Sequence, residues 1–202
     1  MLTDIFIMLS VLFVSMMSPG PDMMLIMRYS LSDTPRSAFF CVLGVCAGLL
    51  VHITLALLGV AALIASGGMA YKIAKMIGAL YLIYIGIQIF RSKDNLAKPD
   101  ANLSTTYFRA FKRGFFTNVL NPKVMIFILA LFTQIINPDY APVIKGMMIC
   151  IMLFAVFVIW SAFALLTRQK KVLKILQKYE RQLNIVFGTV LTLFGMGLAI
   201  KP

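Results

Sequence analysis

Ser18-Pro19-Gly20-Pro21-Asp22 interrupts the first long apolar run of the chain, and Leu120-Asn121-Pro122-Lys123 interrupts the fourth. A helix in lipid must satisfy its own backbone, and each proline removes an N–H donor and clashes with the preceding turn. Irregular backbone at that depth is tolerated where it is buried in protein or lines a watery cavity. Two breaks in corresponding places of two halves point to a binding site of the kind secondary transporters build. The remainder reads as spanning helix arranged around these two interruptions.

Composition agrees. Of 202 residues, 61% are hydrophobic and 13% charged, and the mean hydropathy is +0.93. A soluble domain sits nearer 45–50% apolar and about 25% charged, so the chain reads as an integral membrane protein. The net charge of +12 does not indicate nucleic acid as a partner, because the Lys and Arg residues fall in the gaps between apolar runs. Cys41, Cys46 and Cys150 lie within those runs and read as small packing residues, not as disulfides or zinc ligands. The N-terminus carries Asp4, lacks a basic leader and runs into Pro-Gly-Pro, so it is expected to be retained as a helix.

Six segments have the roughly 20 apolar residues a spanning helix needs: 3–28, 37–65, 70–90, 114–136, 142–167 and 183–200. The expected fold is an all-α membrane protein of six transmembrane helices, arranged as two inverted three-helix repeats with helices 1 and 4 broken. The halves are 1–90 and 104–202, and 91–113 is the linker. Within it, Tyr107 to Phe115 is amphipathic, with Phe108, Phe111 and Phe115 on one face and Arg109 and Arg113 pointing away. That pattern suits a helix lying at the interface. Fourteen Lys and Arg residues sit on the side of the 28–36, 91–113 and 168–181 gaps, against four on the other side. The positive-inside rule then makes the linker cytoplasmic and both termini periplasmic.

Three spans per half place the halves in opposite orientations, so internal similarity would be an inverted repeat. Pro19 with Pro35, and Pro122 with Pro142, each bracket a broken span and the start of an unbroken one. Paired glycines recur in the third span (Gly78, Gly86) and the sixth (Gly188, Gly195, Gly197). Gly44 and Gly48 read as a close helix contact, and the small-residue faces would allow a homodimer.

Pro21 suits the first position of a new half-helix, with Asp22 in its first turn, and Asn121 and Pro122 suit the cap and first residue of another. Both half-helices would aim a positive end with free N–H groups inward, where it binds a carboxylate. Asp22 and Lys123 are the charged residues that fall well inside spans, where a charge costs about 2.5–3.5 kcal/mol on insertion scales and faces a partner or a cavity. Lys123 either holds a substrate carboxylate or snorkels to the cytoplasmic interface. Asp22 either meets an ammonium or a coupling proton, or merely stabilises the start of its half-helix. His52 either relays protons or is a neutral histidine bonded between helices. Thr117, Asn118 and Gln134 would line a polar path, whereas Trp160 and the phenylalanines read as core or lipid-facing. The substrate-binding set is therefore Pro19, Gly20, Pro21, Asp22, Asn118, Asn121, Pro122, Lys123 and Gln134, with Asp22 and His52 as proton-coupling candidates. No Walker-type phosphate loop, metal cluster or Ser–His–Asp set occurs, so no cofactor, metal or catalytic residue is expected.

At these residues the chain resembles the LysE/RhtB family of amino-acid exporters. The resemblance runs over nearly the whole chain. It rests on Ser18 to Asp22, Gly44 to Gly48, Val51-His52-Ile53, Gly78 to Gly86 and Thr117 to Lys123. Phe132-Thr133-Gln134 departs from the family's usual Phe-Pro-Gln. The resemblance implies a bacterial inner-membrane exporter of small amino acids or their analogues, driven by the proton gradient and not an enzyme. Different members handle homoserine, threonine and basic amino acids. A passive channel or osmotic-release pore, and then an intramembrane enzyme, are the alternative readings. The charge count makes the C-terminus periplasmic: alkaline phosphatase fused there should be active and a fluorescent-protein fusion dark, and the reverse result would invert the topology.

Overall fold

The computed structural model describes residues 2–17, 20–31, 35–65, 68–91, 106–135, 137 and 139–200. Pro19 and positions 92–105 of the linker lie outside them. All regular structure among the described residues is helical, in the order α1 (Leu2–Met16), α2 (Pro21–Ser30), α3 (Pro35–Ala65), α4 (Gly68–Arg91), α5 (Tyr107–Val119), α6 (Pro122–Ile135), α7 (Pro142–Thr167) and α8 (Lys170–Ile200).

The two interruptions are real bends. α1 and α2 meet at 69°, and α5 and α6 at 60°. α2 begins with Pro21 after an extended Gly20, and a proline is harmless there because the first N–H of a helix has no intrahelical partner. α6 begins with Pro122, and Asn121 caps it: the Lys123 N–H donates to Asn121 Oδ1 at 3.1 Å. Four helices (α3, α4, α7 and α8) are each long and apolar enough to cross a membrane, and there are six crossings if each bent pair counts as one. Large apolar side chains such as Phe6, Leu58, Phe154, Leu165 and Leu193 point outward, as lipid-facing surfaces require.

Two segment boundaries differ from the sequence reading. The sixth helix starts at Lys170, not near 183. The basic stretch is rich in Lys, Leu and Gln, all good helix formers, and Leu173 and Leu176 pack on the core. At 1.5 Å per residue, 31 residues extend about 46 Å, longer than the roughly 30 Å apolar core of a bilayer. The fourth segment likewise starts earlier, at Tyr107, because α5 runs unbroken to Val119. Its inward face is Ala110, Gly114 and Asn118, not the phenylalanines, and Phe108 is 68% exposed. Small residues win that face because lipid supplies no hydrophobic drive for helices to associate, and close backbone approach does.

The largest helix contacts are α3 with α5 and α4 with α8, and both are glycine seams. A Cβ on Gly44 would stand 2.1 Å from the Phe111 carbonyl oxygen, and one on Gly114 would stand 2.2 Å from that of Cys41. Gly86 and Gly188 face each other across the second seam, and Gly195 packs on Ala79 and Ile83. Gly86, Gly188 and Gly195 thus share one contact, whereas Gly78 packs on Ala130 and Thr133 of α6 and Gly197 meets nothing within 4 Å. Hydrogen bonds join helix ends. Tyr140 donates to Asp4, Ser30 donates to the Ala164 carbonyl, and Thr167 donates to Ser30 Oγ at 3.0 Å. Gly114→Ala should destabilise the purified protein by at least the ~1–3 kcal/mol typical of overpacking. Gly146→Ala, a helical position with nothing within 4 Å, should leave stability unchanged or raise it by up to about 1 kcal/mol; thermal unfolding in detergent compares the two.

Candidate functional site

Both helix breaks open onto one cavity of about 60 Å³. Gly20, Asp22 and Met23 reach it from the first break, and Asn118, Asn121, Lys123 and Val124 from the second. Asp22 is 7% exposed, Asn118 2% and Asn121 5%. The Asn118 side-chain amide donates to Asp22 Oδ2 at 2.8 Å, joining positions 96 residues apart and tying α2 to the end of α5. His52, also buried, lies 3.0 Å from the Asn118 backbone carbonyl through Nε2. A carbonyl only accepts, so Nε2 carries the hydrogen in this contact. Among the described residues, neither His52 Nδ1 nor Asp22 Oδ1 has a hydrogen-bond partner.

Packing dictates this arrangement. Gly44, Gly48 and His52 recur every four residues on α3, as do Ala110, Gly114 and Asn118 on α5, and each set forms one stripe along its helix. The glycines bring the helices so close that a Cβ on Gly48 would sit 2.9 Å from the Asn118 Cβ. At the end of that seam His52 meets the break.

The predicted residues divide. Asp22, Gly20, Asn118, Asn121 and Lys123 come together at the cavity. Pro21 and Pro122 start the two half-helices, and the Pro122 carbonyl accepts from the Tyr81 hydroxyl at 3.5 Å. Gln134 stands apart: its side-chain amide donates to the Lys75 carbonyl at 2.7 Å, fastening α6 to α4. The free N–H groups expected at α6 are engaged, because Asn121 Oδ1 takes that of Lys123 and the Asn121 carbonyl takes those of Val124 and Met125. That half-helix presents its dipole and the Lys123 side chain instead. α2 has no side-chain cap. Trp160, read from the sequence as core or lipid-facing, lines the cavity with Ser15, Met16, Leu49 and Val156. No local pattern marks these among dozens of similar apolar residues; only the convergence of helices selects them.

An all-helical, multi-pass architecture with a buried, mixed-charge cavity at two helix breaks defines a membrane translocator. A model of the LysE type translocator family matches residues 13–202, and the chain belongs to that family. It is 30% identical to a homoserine/homoserine lactone efflux protein of Salmonella typhimurium, over 91% of this chain and 89% of the relative. It is 27% identical to a threonine efflux protein of Salmonella typhi, over 93% of each. An uncharacterized membrane protein of Bacillus subtilis shares 28% identity over 88% of this chain and 90% of its own length. No solved structure matches. The chain is thus a translocator of a family with named amino-acid efflux proteins, and not an enzyme.

A double-mutant cycle of Asp22→Ala and Asn118→Ala in detergent melts should show a coupling energy of about 0.5–3 kcal/mol. Strictly additive effects would mean that the bond between them does nothing for stability.

Proposed function

We propose that this protein exports a small zwitterionic amino acid from the bacterial cytoplasm across the inner membrane, by alternating access coupled to proton entry. The observation that carries the reading is the meeting of Asp22 and Lys123, one from each helix break, in a single buried cavity. Opposite charges there suit the two ends of a zwitterion. Lys123 and the positive end of α6 take the carboxylate, and Asp22 takes the ammonium.

Proton coupling runs through the same carboxylate. Asp22 alternates between cargo and proton, so that a proton entering from the periplasm displaces the ammonium. His52 is joined to it by way of Asn118 and biases that exchange. This is a positioning role, since His52 does not line the cavity.

Alternation also fits the order of elements: a bent pair followed by two long helices, twice. In this reading residues 1–90 and 104–202 are inverted repeats joined by the cytoplasmic linker 91–113, with six crossings and periplasmic termini. Contacts between helix ends support it. Ser30 with Thr167 and Tyr29 with Arg113 join ends assigned to the cytoplasmic side, and Asp4 with Tyr140 joins ends assigned to the periplasmic side.

In proteoliposomes preloaded with labelled amino acids, wild type should show efflux that accelerates with an imposed pH gradient. Asp22→Asn should lose at least about ten-fold, the scale of one lost charged contact of 1.4 kcal/mol or more. His52→Gln should keep efflux while weakening its dependence on the gradient. Full efflux by Asp22→Asn would reduce Asp22 to a helix-start residue, and wild-type efflux indifferent to the gradient would point to a passive pore.

A further inference from the structure

We infer that the cargo has a small, uncharged side chain and that Trp160 sets its size limit, a specificity that rests on the export reading above. The cavity is divided by chemistry. Its charged and amide groups come from the two breaks, whereas α1, α3 and α7 contribute Met16, Leu49, Val156 and Trp160, with Ser15 the single hydroxyl on that wall. If the zwitterionic end occupies Asp22 and Lys123, the side chain has the apolar wall left to it.

Charge excludes basic cargo. Asp22 and Lys123 are the ionisable residues lining the cavity, and the ammonium and carboxylate of any amino acid use both. A third charge, as on lysine, would be buried without a counter-ion, which is strongly unfavourable. Room is also limited: the cavity is about 60 Å³, so a bulky side chain fits only if the wall moves. Trp160 is the bulkiest group on the apolar wall. It is 5% exposed, and Phe163 holds it edge-to-face, with ring centroids 5.5 Å apart at 79°. That contact, worth about 0.5–1.5 kcal/mol, opposes any swing of the ring to admit a bulkier side chain.

The test is efflux from proteoliposomes of alanine, threonine, leucine, phenylalanine and lysine, each at equal internal concentration, for wild type, Trp160→Ala and Val156→Phe. Wild type should favour alanine and threonine over phenylalanine and lysine by about ten-fold or more, since a methylene or two in an apolar pocket discriminates on that scale. Trp160→Ala should raise phenylalanine relative to alanine about ten-fold while lysine stays excluded. Val156→Phe should narrow the range toward alanine, and it carries the test if Trp160→Ala is not recovered folded. Lysine moving as fast as alanine, or recovered variants scaling every cargo by one factor, would overturn the inference and leave the export reading standing. No movement of any of the five by correctly inserted wild type would overturn both.

Discussion

In lipid, a backbone N–H or C=O has no water to turn to, so a helix break is tolerated only where protein groups or a cavity take that role. The second break is closed almost entirely by its own residues. The Leu120 N–H donates to the Phe116 carbonyl and that of Asn121 to the Asn118 carbonyl, while the Asn121 side chain caps the next helix. His52 supplies a further donor to the Asn118 carbonyl. At the first break, among the described residues, the Met17 N–H donates to the Phe13 carbonyl and the Met24 N–H to the Gly20 carbonyl, and α2 follows Gly20 without a side-chain cap. The residues that make the breaks tolerable are the same ones that give the cavity its polar wall.

α3 is the support on which this depends. Its glycine stripe admits the α5 backbone to within a distance that no side chain would allow, and the stripe ends in His52. Close packing and the polar contact are therefore one feature: bulk at Gly44 or Gly114 would push Asn118 off both His52 and Asp22. Without a hydrophobic drive between helices, such close approaches and buried hydrogen bonds are the main sources of specificity.

The halves are alike in element order and unlike in packing. α3 lies along α5 over much of its length, but α7 meets α1 far more lightly. Under the inverted-repeat reading proposed above, this asymmetry is expected, because alternation would make the halves exchange arrangements. The bonds between helix ends, Asp4 with Tyr140 and Ser30 with Thr167, bridge separate elements and are of the kind such an exchange would break and remake.

The sequence by itself determined membrane embedding, the places of both breaks and the helix starts at Pro21 and Pro122, because these follow from hydropathy and the missing proline N–H. It also marked Asp22 and Lys123, since charge inside an apolar run is conspicuous wherever the helix ends up. It grouped Gln134 with the substrate-binding residues and did not distinguish Trp160 from any other apolar residue. It read the basic stretch before 183 as a gap, although good helix formers continue α8 through it. Only the tertiary structure decided that Asp22 meets Asn118 across 96 residues, that Gln134 serves α4 and that Trp160 faces the cavity. The reason is physical: hydropathy and capping act within a few turns of one helix, whereas a cavity wall is chosen by which faces of several helices pack together.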